Sequence, residues 1–469
     1  MGLPSIHSWW LIVIPLMVDF NSMKRRDLLK TLSLSAAGAA LAGLGGACAP
    51  VRPLAGNPAL RKHSAPERKP GSVSRRPDPV AIAMWDFSWL LRHHPCGEFE
   101  DWDSVLDGLV ERGYTAIRLD VFPNLVAADA QGRVTNEYCF PKSDWKPAMW
   151  GNNLSMTANP RQALKEFIPR CVDRGLLLGL STWFFGPGCE RIQGPDEFVR
   201  VWDETLTFLK DNDLLHNIYY VVLLNEYPLF SGFSWLRDQM ETRKRDAANR
   251  QAEAAANPAQ DERKVHEWKA KAGDYNDPVS RDFYLSFANN AIDRLRLKWP
   301  ELDFLFCITN NGSADWRAMD YSRCAALDIH YWFVMNDRLA HLLYWENIHT
   351  LAANDQKFPQ VQEVMLRNWR TNKVELVEWM DARMGEVAAM GRRYNKPFGN
   401  TEGWGAINWL DHPALTWEVV QDAGEICARL GRKHGYRFNC TSNFTHPQFP
   451  RLWRDAAWHR RVTDIIRQG

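Results

Sequence analysis

The stretch Tyr219-Tyr-Val-Val-Leu-Leu-Asn-Glu-Tyr-Pro228 is a short apolar run that ends on an amide, a carboxylate and an aromatic side chain. Its β-branched and aromatic residues predict a strand buried on both faces, as in a parallel sheet covered by helices. The polar end of such a strand lies at the carboxyl edge of the sheet, where α/β barrels place their functional groups. Asn225 and Glu226 are therefore the first candidate site residues.

A second stretch has the same form. Lys396-Pro-Phe-Gly-Asn-Thr-Glu-Gly-Trp404 predicts a short strand that ends on Glu402, with an aromatic residue close behind. Because all strands of a parallel barrel end at one rim, two glutamates far apart in sequence can face each other there. The sequence thus predicts a carboxylate pair, Glu226 and Glu402, at one barrel mouth.

From residue 79 onward the chain alternates short apolar runs with longer segments of helical period, the βαβα pattern of a parallel sheet. With the two stretches above as the fourth and seventh, the other predicted strands are 80–85, 116–121, 176–181, 304–309, 325–330 and 437–442. This count predicts an α/β fold of the (β/α)8 TIM-barrel type, with helical insertions after strand 4 (237–271) and strand 6 (336–372). A doubly wound open sheet is the alternative, but no glycine-rich phosphate loop follows the first strand.

The N-terminal residues 1–48 have the features of an export signal. Paired arginines after Met23 precede an Ala/Gly-rich run and then Cys48, in the order of a twin-arginine signal followed by a lipoprotein cleavage site. We therefore expect translation to start at Met23 and lipid to be attached at Cys48, although an uncleaved anchoring helix is an alternative. Residues 49–78 are rich in Pro, Arg and Ser and predict a flexible linker, which leaves 79–469 as the folded domain.

Composition argues against several classes of function. The net charge is +1, with 57 Lys and Arg against 56 Asp and Glu, so nothing favours nucleic acid as a partner. The nine cysteines form no CxxC spacing, and no HExxH motif occurs, so we expect no metal and no cofactor; a metal-dependent hydrolase is a weaker alternative. Cys96, Cys139 and Cys189 lie in loop-like stretches where an exported protein can form a disulfide, whose pairing the sequence leaves open.

Two carboxylates that face each other suit the cleavage of glycosidic bonds, in which one protonates the leaving oxygen and the other attacks or activates water. Asn225 beside them can bind a sugar hydroxyl, and Arg118 at the end of the second strand can keep one glutamate ionised. Asp86 and Asp120 are further candidate sugar ligands at the rim. The tryptophans just beyond strand ends, which offer flat faces to sugar rings, are Trp85, Trp183, Trp332 and Trp404.

Four segments carry a family resemblance: 113–119, 223–226, His330-Tyr-Trp332 and 396–403. Their order resembles that of retaining (β/α)8 glycoside hydrolases, most closely the cellulase-like relatives of glycoside hydrolase family 5. The resemblance implies that Glu226 is the acid/base and Glu402 the nucleophile. It also implies that Asn225 binds the sugar 2-OH, that Arg118 orients the nucleophile, and that His330, Tyr331 and Trp332 lie near the substrate.

The chain departs from that pattern at three places, which leaves the substrate open. Ser181-Thr-Trp183 stands where many relatives carry a histidine, Trp332 replaces a tyrosine, and Asn443-Phe444 replaces a tryptophan. A divergent family of the same clan is an equal alternative. We expect an exported, periplasmic or cell-surface, lipid-anchored retaining glycosidase acting on a β-linked oligo- or polysaccharide. The competing hypothesis is a non-catalytic carbohydrate-binding lipoprotein on the same barrel.

Overall fold

The protein is described here from a computed structural model. The described residues are 72–86, 88–140, 154–184, 188–227, 233–255, 278–309, 316–333, 358–404, 411, 413–414, 416–442 and 445–468. They all belong to one compact unit, Ser64–Gly469. The predicted export signal, Cys48, most of the predicted linker, the first part of the insertion after strand 6, and Asn443-Phe444 lie outside the described residues.

Apart from one separate antiparallel hairpin, the described strands form a closed ring of parallel pairs. In chain order they are β1 (Val80–Met84), β2 (Ala116–Asp120), β3 (Tyr138–Phe140), β4 (Met156–Ala158), β5 (Leu177–Ser181), β6 (Ile218–Val222), β7 (Phe304–Leu305), β8 (Cys307–Thr309), β9 (Leu327–Trp332), β10 (Phe398–Asn400), β11 (Gly403–Trp404) and β12 (Phe438–Cys440). The ring runs β1-β2-β5-β6-β7/β8-β9-β10-β12 and returns to β1, where β7 and β8 are one strand interrupted at Phe306. The predicted (β/α)8 barrel is confirmed.

Helices follow most strands and cover the barrel. They are α1 (Ser88–Leu91), α2 (Trp102–Glu111), α3 (Pro123–Val126), α4 (Pro160–Asp173), α5 (Pro195–Asp211), α6 (Ser234–Ala255), α7 (Pro278–Lys298), α8 (Phe358–Tyr394), α9 (Glu418–His434), α10 (Pro450–Trp453) and α11 (Ala456–Arg467). Within the described part of the chain, every helix is too short or too polar to cross a membrane.

Local sequence signals set several helix ends. Asp101 and Asn159 accept hydrogen bonds from the backbone N–H groups of Ser104 and Gln162, which caps α2 and α4. Helix α9 ends at Gly435, whose φ of 81° lies in the left-handed region that glycine tolerates best. These caps set the first turns of α2 and α4 and the last turn of α9.

Three elements differ from the sequence-based expectation. Helix α8 begins at Phe358, inside the predicted helical insertion 336–372, and continues beyond the end of that insertion to Tyr394 as one helix. The sixth barrel strand, β9, lies two residues later than predicted. The antiparallel hairpin β3–β4 was not predicted, because each of its strands is only three residues long and carries little periodic signal.

The folded part begins before the predicted boundary at residue 79. We call residues 72–76 the N-terminal strap. The N–H of Val73 donates to the carbonyl of Tyr219 at 2.7 Å, and the Val73 side chain is buried. Ser72 Oγ and the N–H of Ser74 both donate to the Asp303 carboxylate. The last residues of the predicted linker are thus packed on the barrel, because one valine between two serines supplies both apolar burial and hydrogen bonds.

Cys171, Cys307 and Cys440 are buried thiols. Cys96 and Cys139 are exposed, Cys189 is partly buried, and no disulfide joins any two of the described cysteines.

Candidate active site

Glu402 and Arg118 form the centre of the site. Arg118 Nη2 donates to Glu402 Oε2 at 2.9 Å, and both side chains are buried. The same guanidinium donates to both oxygens of Asp86 at 2.6 Å and to Thr401 Oγ1 at 2.7 Å. Arg118 is thus held by two carboxylates and a hydroxyl, and its charge lies directly beside Glu402.

The predicted carboxylate pair is brought together at the carboxyl end of the barrel. One oxygen of Glu226, one nitrogen of His330 and one oxygen of Glu402 all lie within 4.8 Å of one another. His330 Nδ1 and Glu226 Oε1 are hydrogen-bonded at 3.0 Å, and His330 Nδ1 is 3.6 Å from Glu402 Oε2. His330 therefore lies between the two carboxylates that the sequence placed on strands four and seven.

Asn225 also faces Glu402. Its Nδ2 donates to Glu402 Oε2 at 3.5 Å, while its backbone N–H donates to the carbonyl of Thr182 at 2.9 Å. Glu226 follows with a φ of 47°, in the left-handed region where a residue with a side chain is strained. The turn at the end of β6 thereby directs consecutive side chains toward the same site.

The environment of the site shifts two of its pKa values. Burial, and then the charge of Glu226, raise the pKa of Glu402 to about 7, against the opposing charges of Arg118 and His330. Burial lowers the pKa of His330, but the neighbouring Cys307 and Asp328 outweigh that effect and raise it well above its ordinary value. A charged imidazole between two carboxyl groups stabilises their anionic forms.

Thr401 and Asp328 connect the site residues to each other, and sequence reasoning missed both. Asp328 accepts from the N–H of Thr401 at 3.0 Å and from its Oγ1 at 2.7 Å. Thr401 Oγ1 is also 3.3 Å from His330 Nε2. Asp328 and His330 are two residues apart on one strand, so their side chains lie on the same face. This spacing could have identified Asp328 as a site residue from the sequence.

Cys307 was expected only to be a buried thiol. Its Sγ donates to Asn225 Oδ1 at 2.6 Å and accepts from the N–H of Glu226 at 3.2 Å. No short motif marks such a residue, because its contacts depend on the pairing of strands distant in sequence.

Asp120 fixes the loops around the site instead of facing the carboxylates. It accepts from the N–H groups of Phe122 at 2.8 Å and Trp183 at 3.0 Å. Burial raises the pKa of Asp120 to about 7. Asp86, the other candidate aspartate, accepts from Trp183 Nε1 at 2.8 Å as well as from Arg118. Both aspartates have protein partners that position neighbouring groups.

The predicted aromatic platforms divide into two groups. Trp85 and Tyr331 have no exposed surface; Trp85 packs on Trp89 and Tyr331 on Trp316, so both contribute to the layer between barrel and helices. Trp404 is also fully buried, with Nε1 donating to the carbonyl of Cys440. In this structure these three rings offer no face to a sugar. Trp183 and Trp332 keep 4% and 5% exposure.

Two groups of side chains have the donor types of a metal site. They are Cys307, Asp328 and His330, and Glu226, His330 and Glu402, each with donor atoms within 4.8 Å. In the second group the Arg118 guanidinium already contacts Glu402 Oε2 at 2.9 Å, and it supplies the positive charge that an ion would bring. The group of Glu226, His330 and Glu402 therefore suits a charged hydrogen-bond network better than a metal ion.

Comparison with known proteins identifies the family of the chain. A family model described as sugar-binding cellulase-like matches residues 82–467. A crystal structure described as a "putative glycoside hydrolase" from Parabacteroides distasonis ATCC 8503 is similar with a TM-score of 0.66 and 26% identity, covering 84% of this chain and 94% of that one. No curated protein matches the sequence.

Two further structures show a weaker similarity. The cellulose synthase subunit Z from Clostridioides difficile has a TM-score of 0.44 and 8% identity, covering 82% of this chain and 99% of that one. The endo-β-1,4-mannanase from Thermotoga petrophila has a TM-score of 0.43 and 11% identity, covering 85% of this chain and 79% of that one. The family match confirms the predicted resemblance to cellulase-like glycoside hydrolases. The chain therefore belongs to the sugar-binding cellulase-like family.

Proposed function

We propose that the protein is a retaining glycoside hydrolase that cleaves a β-linked oligo- or polysaccharide by double displacement. Glu402 is the nucleophile, Glu226 is the acid/base, and Asn225 binds the sugar 2-OH. The observation that carries this proposal is the short distance between the two carboxylates, together with Arg118 on only one of them.

The separation favours retention. Retaining glycosidases hold their carboxyl groups about 5–5.5 Å apart, whereas inverting enzymes need about 6.5–9.5 Å to admit a water molecule. One oxygen of Glu226 lies within 4.8 Å of one oxygen of Glu402, an approach that fits the shorter, retaining separation. A nucleophile at this distance reaches the anomeric carbon while its partner reaches the leaving oxygen.

Electrostatics supports different roles for the two glutamates. Arg118 donates directly to Glu402, whereas Glu226 has His330 as its hydrogen-bond partner. Burial and the charge of Glu226 raise the pKa of Glu402 to about 7, and the adjacent Arg118 opposes them by favouring the ionised, attacking form. We therefore assign the nucleophile to Glu402 and the acid/base role to Glu226.

The reaction then follows from these positions. Glu402 attacks the anomeric carbon, the glycosidic bond breaks, and Glu226 transfers its proton to the departing oxygen. Glu226, now ionised, takes a proton from water as the water attacks the glycosyl-enzyme bond, which frees Glu402. Asn225 donates through Nδ2 to the sugar 2-OH oxygen, a contact that strengthens as positive charge develops on the ring.

Substitution of each glutamate tests these roles. We expect Glu402→Ala and Glu226→Ala each to lower kcat on aryl β-glycosides by at least about 1000-fold, because each removes a group that makes or breaks a covalent bond. Azide should partly rescue Glu226→Ala on a substrate with a good leaving group, and the glycosyl azide should keep the anomeric configuration of the substrate. Product configuration is measured by NMR.

A matched control separates catalysis from folding. Glu386 on α8 pairs with Arg317 and Arg383, so Glu386→Gln also removes a salt-bridged carboxylate. It should leave kcat unchanged. Near-normal turnover in either active-site variant would refute the proposal. Binding of oligosaccharide without hydrolysis, undiminished in Glu402→Gln, would instead support a carbohydrate-binding protein.

A further inference from the structure

We propose that Cys307 is a positioning residue whose thiol fixes the orientation of the Asn225 amide, so that the amide NH2 faces Glu402 and the sugar 2-OH. The inference rests on the proposed function and adds to it a residue on the fifth barrel strand. It concerns the direction in which one side chain points, which decides whether Asn225 donates or accepts at the site.

The contacts of the thiol are specific. Cys307 Sγ–H donates to Asn225 Oδ1 at 2.6 Å, and Asn225 Nδ2 donates to Glu402 Oε2 at 3.5 Å. The Cys307 carbonyl also accepts from the N–H of Tyr227 at 2.9 Å, which aligns β8 with the end of β6. The two ends of one amide thus contact a donor on one side and a carboxylate on the other.

An asparagine amide has two possible orientations that differ by a flip of oxygen and nitrogen. The flipped form would place Oδ1 against the Glu402 carboxylate, where two acceptors repel, and would remove the donor from the 2-OH. The backbone bond from Asn225 to Thr182 holds the main chain in place but leaves the amide free to flip. The Cys307 thiol, which donates to Oδ1, selects one form together with the longer contact of Nδ2 with Glu402.

Burial favours the protonated form of the thiol, which is the form that donates. Cys307 is completely buried, and burial raises the pKa of its thiol above the ordinary value, against the opposing effect of His330 beside it. Its Sγ can accept from the N–H of Glu226 at the same time, so that one atom contacts the two consecutive residues of the site.

A double-mutant cycle tests the assignment. The variants are Cys307→Ala, Asn225→Ala and the double variant, with kcat and KM measured on the aryl β-glycoside that the wild type hydrolyses. We expect Cys307→Ala to lower kcat about tenfold, the loss of one buried hydrogen bond, with a smaller change in KM. In the Asn225→Ala background the same substitution should change kcat by less than about twofold. Cys307→Ser, which restores a donor, should recover most of the loss.

A control and a second measurement complete the test. Cys427→Ala removes an equally buried thiol from α9 and should leave kcat unchanged even where the Tm falls. A neutron crystal structure of Cys307→Ala, which distinguishes the amide oxygen from the nitrogen, should show the Asn225 side chain in a changed or mixed orientation and requires no turnover. An unchanged Asn225, or an equal loss of kcat in the presence and absence of Asn225, would overturn the inference. Absence of turnover in the wild type would refute the proposed function alone, and the crystal structure would still decide the role of Cys307.

Discussion

At the scale of single residues, the site is a small set of charges that is buried almost completely. Arg118 serves Asp86, Thr401 and Glu402 at once through the separate N–H groups of its planar guanidinium. A buried charge with such partners is stable only as a complete set, since removal of one member leaves the others unpaired. The chemistry and the stability of this region are therefore coupled.

Arg118→Lys tests this coupling. Lysine keeps the charge but cannot present the same fork, so we expect the free energy of unfolding to fall by about 3 kcal/mol and kcat to fall at least about tenfold. Urea denaturation and kinetics on an aryl β-glycoside measure the two effects. Arg112→Lys is the control. Arg112, just after α2, is also buried, but its guanidinium donates to the backbone carbonyls of Gly108 and Trp453 and not to carboxylates of the site. Equal kcat in the two variants would contradict the role of Arg118.

The pH dependence of kcat/KM follows from Glu402. The nucleophile attacks only as the carboxylate, and burial and the charge of Glu226 raise the pKa of Glu402 to about 7. We therefore expect kcat/KM to fall as the pH drops below about 7. Burial raises the pKa of Asp120 to about 7 as well, so Asp120→Asn is the necessary control. If the acid limb disappears in that variant, Glu402 does not cause it.

At the scale of elements, the packing of side chains inside the barrel requires a glycine at position 179 on β5. A Cβ atom added at Gly179 on β5 would lie 2.5 Å from the ring of Tyr220 on the adjacent β6. The absent side chain makes room for a tyrosine that fills the barrel interior. Such a requirement is visible only once neighbouring strands are in register, whereas the apolar runs that form the strands are visible in the sequence.

Gly179→Ala tests this packing. We expect a loss of about 1–3 kcal/mol in the free energy of unfolding, measured by urea denaturation, because the added methyl group overfills the interior. Gly194→Ala is the matched control, since a Cβ there meets no atom within 4 Å. A stability change as small as that of the control would show that Tyr220 moves aside without cost.

At the scale of the whole molecule, the N-terminal strap ties the start of the domain to the barrel. We expect a chain that begins at residue 79 to be less stable than one that begins at residue 64, by about 1.5–3 kcal/mol for the lost burial of Val73. Thermal unfolding of the two chains measures the difference. Equal Tm values would mean that the strap binds the barrel without stabilising it.

Export and lipid attachment remain predictions from residues 1–48. We expect the full chain to fractionate with membranes in a bacterial host that has lipoprotein processing, and Cys48→Ser to move it to the soluble periplasmic fraction. Cys96→Ser is the control, because Cys96 is an exposed thiol of the folded domain. Membrane association that survives Cys48→Ser would favour the uncleaved anchoring helix.

The sequence by itself determined the barrel and most of its candidate centre. Apolar runs of strand length, helical periodicity and helix caps are local properties, so the strand order and the positions of Glu226, Glu402 and Arg118 were readable from them. The polar ends of two strands were sufficient to predict that two distant glutamates meet.

Only the tertiary structure decided which side chains face the site and what they contact. The roles of Asp328, Thr401 and Cys307 depend on hydrogen bonds between strands whose register no local pattern specifies. For the same reason Trp85 and Tyr331, which lie next to site residues in sequence, turned out to be packed in the core. Neighbouring residues of a strand point to opposite faces, and one shift in register exchanges them, so the contents of the site are a property of the closed barrel.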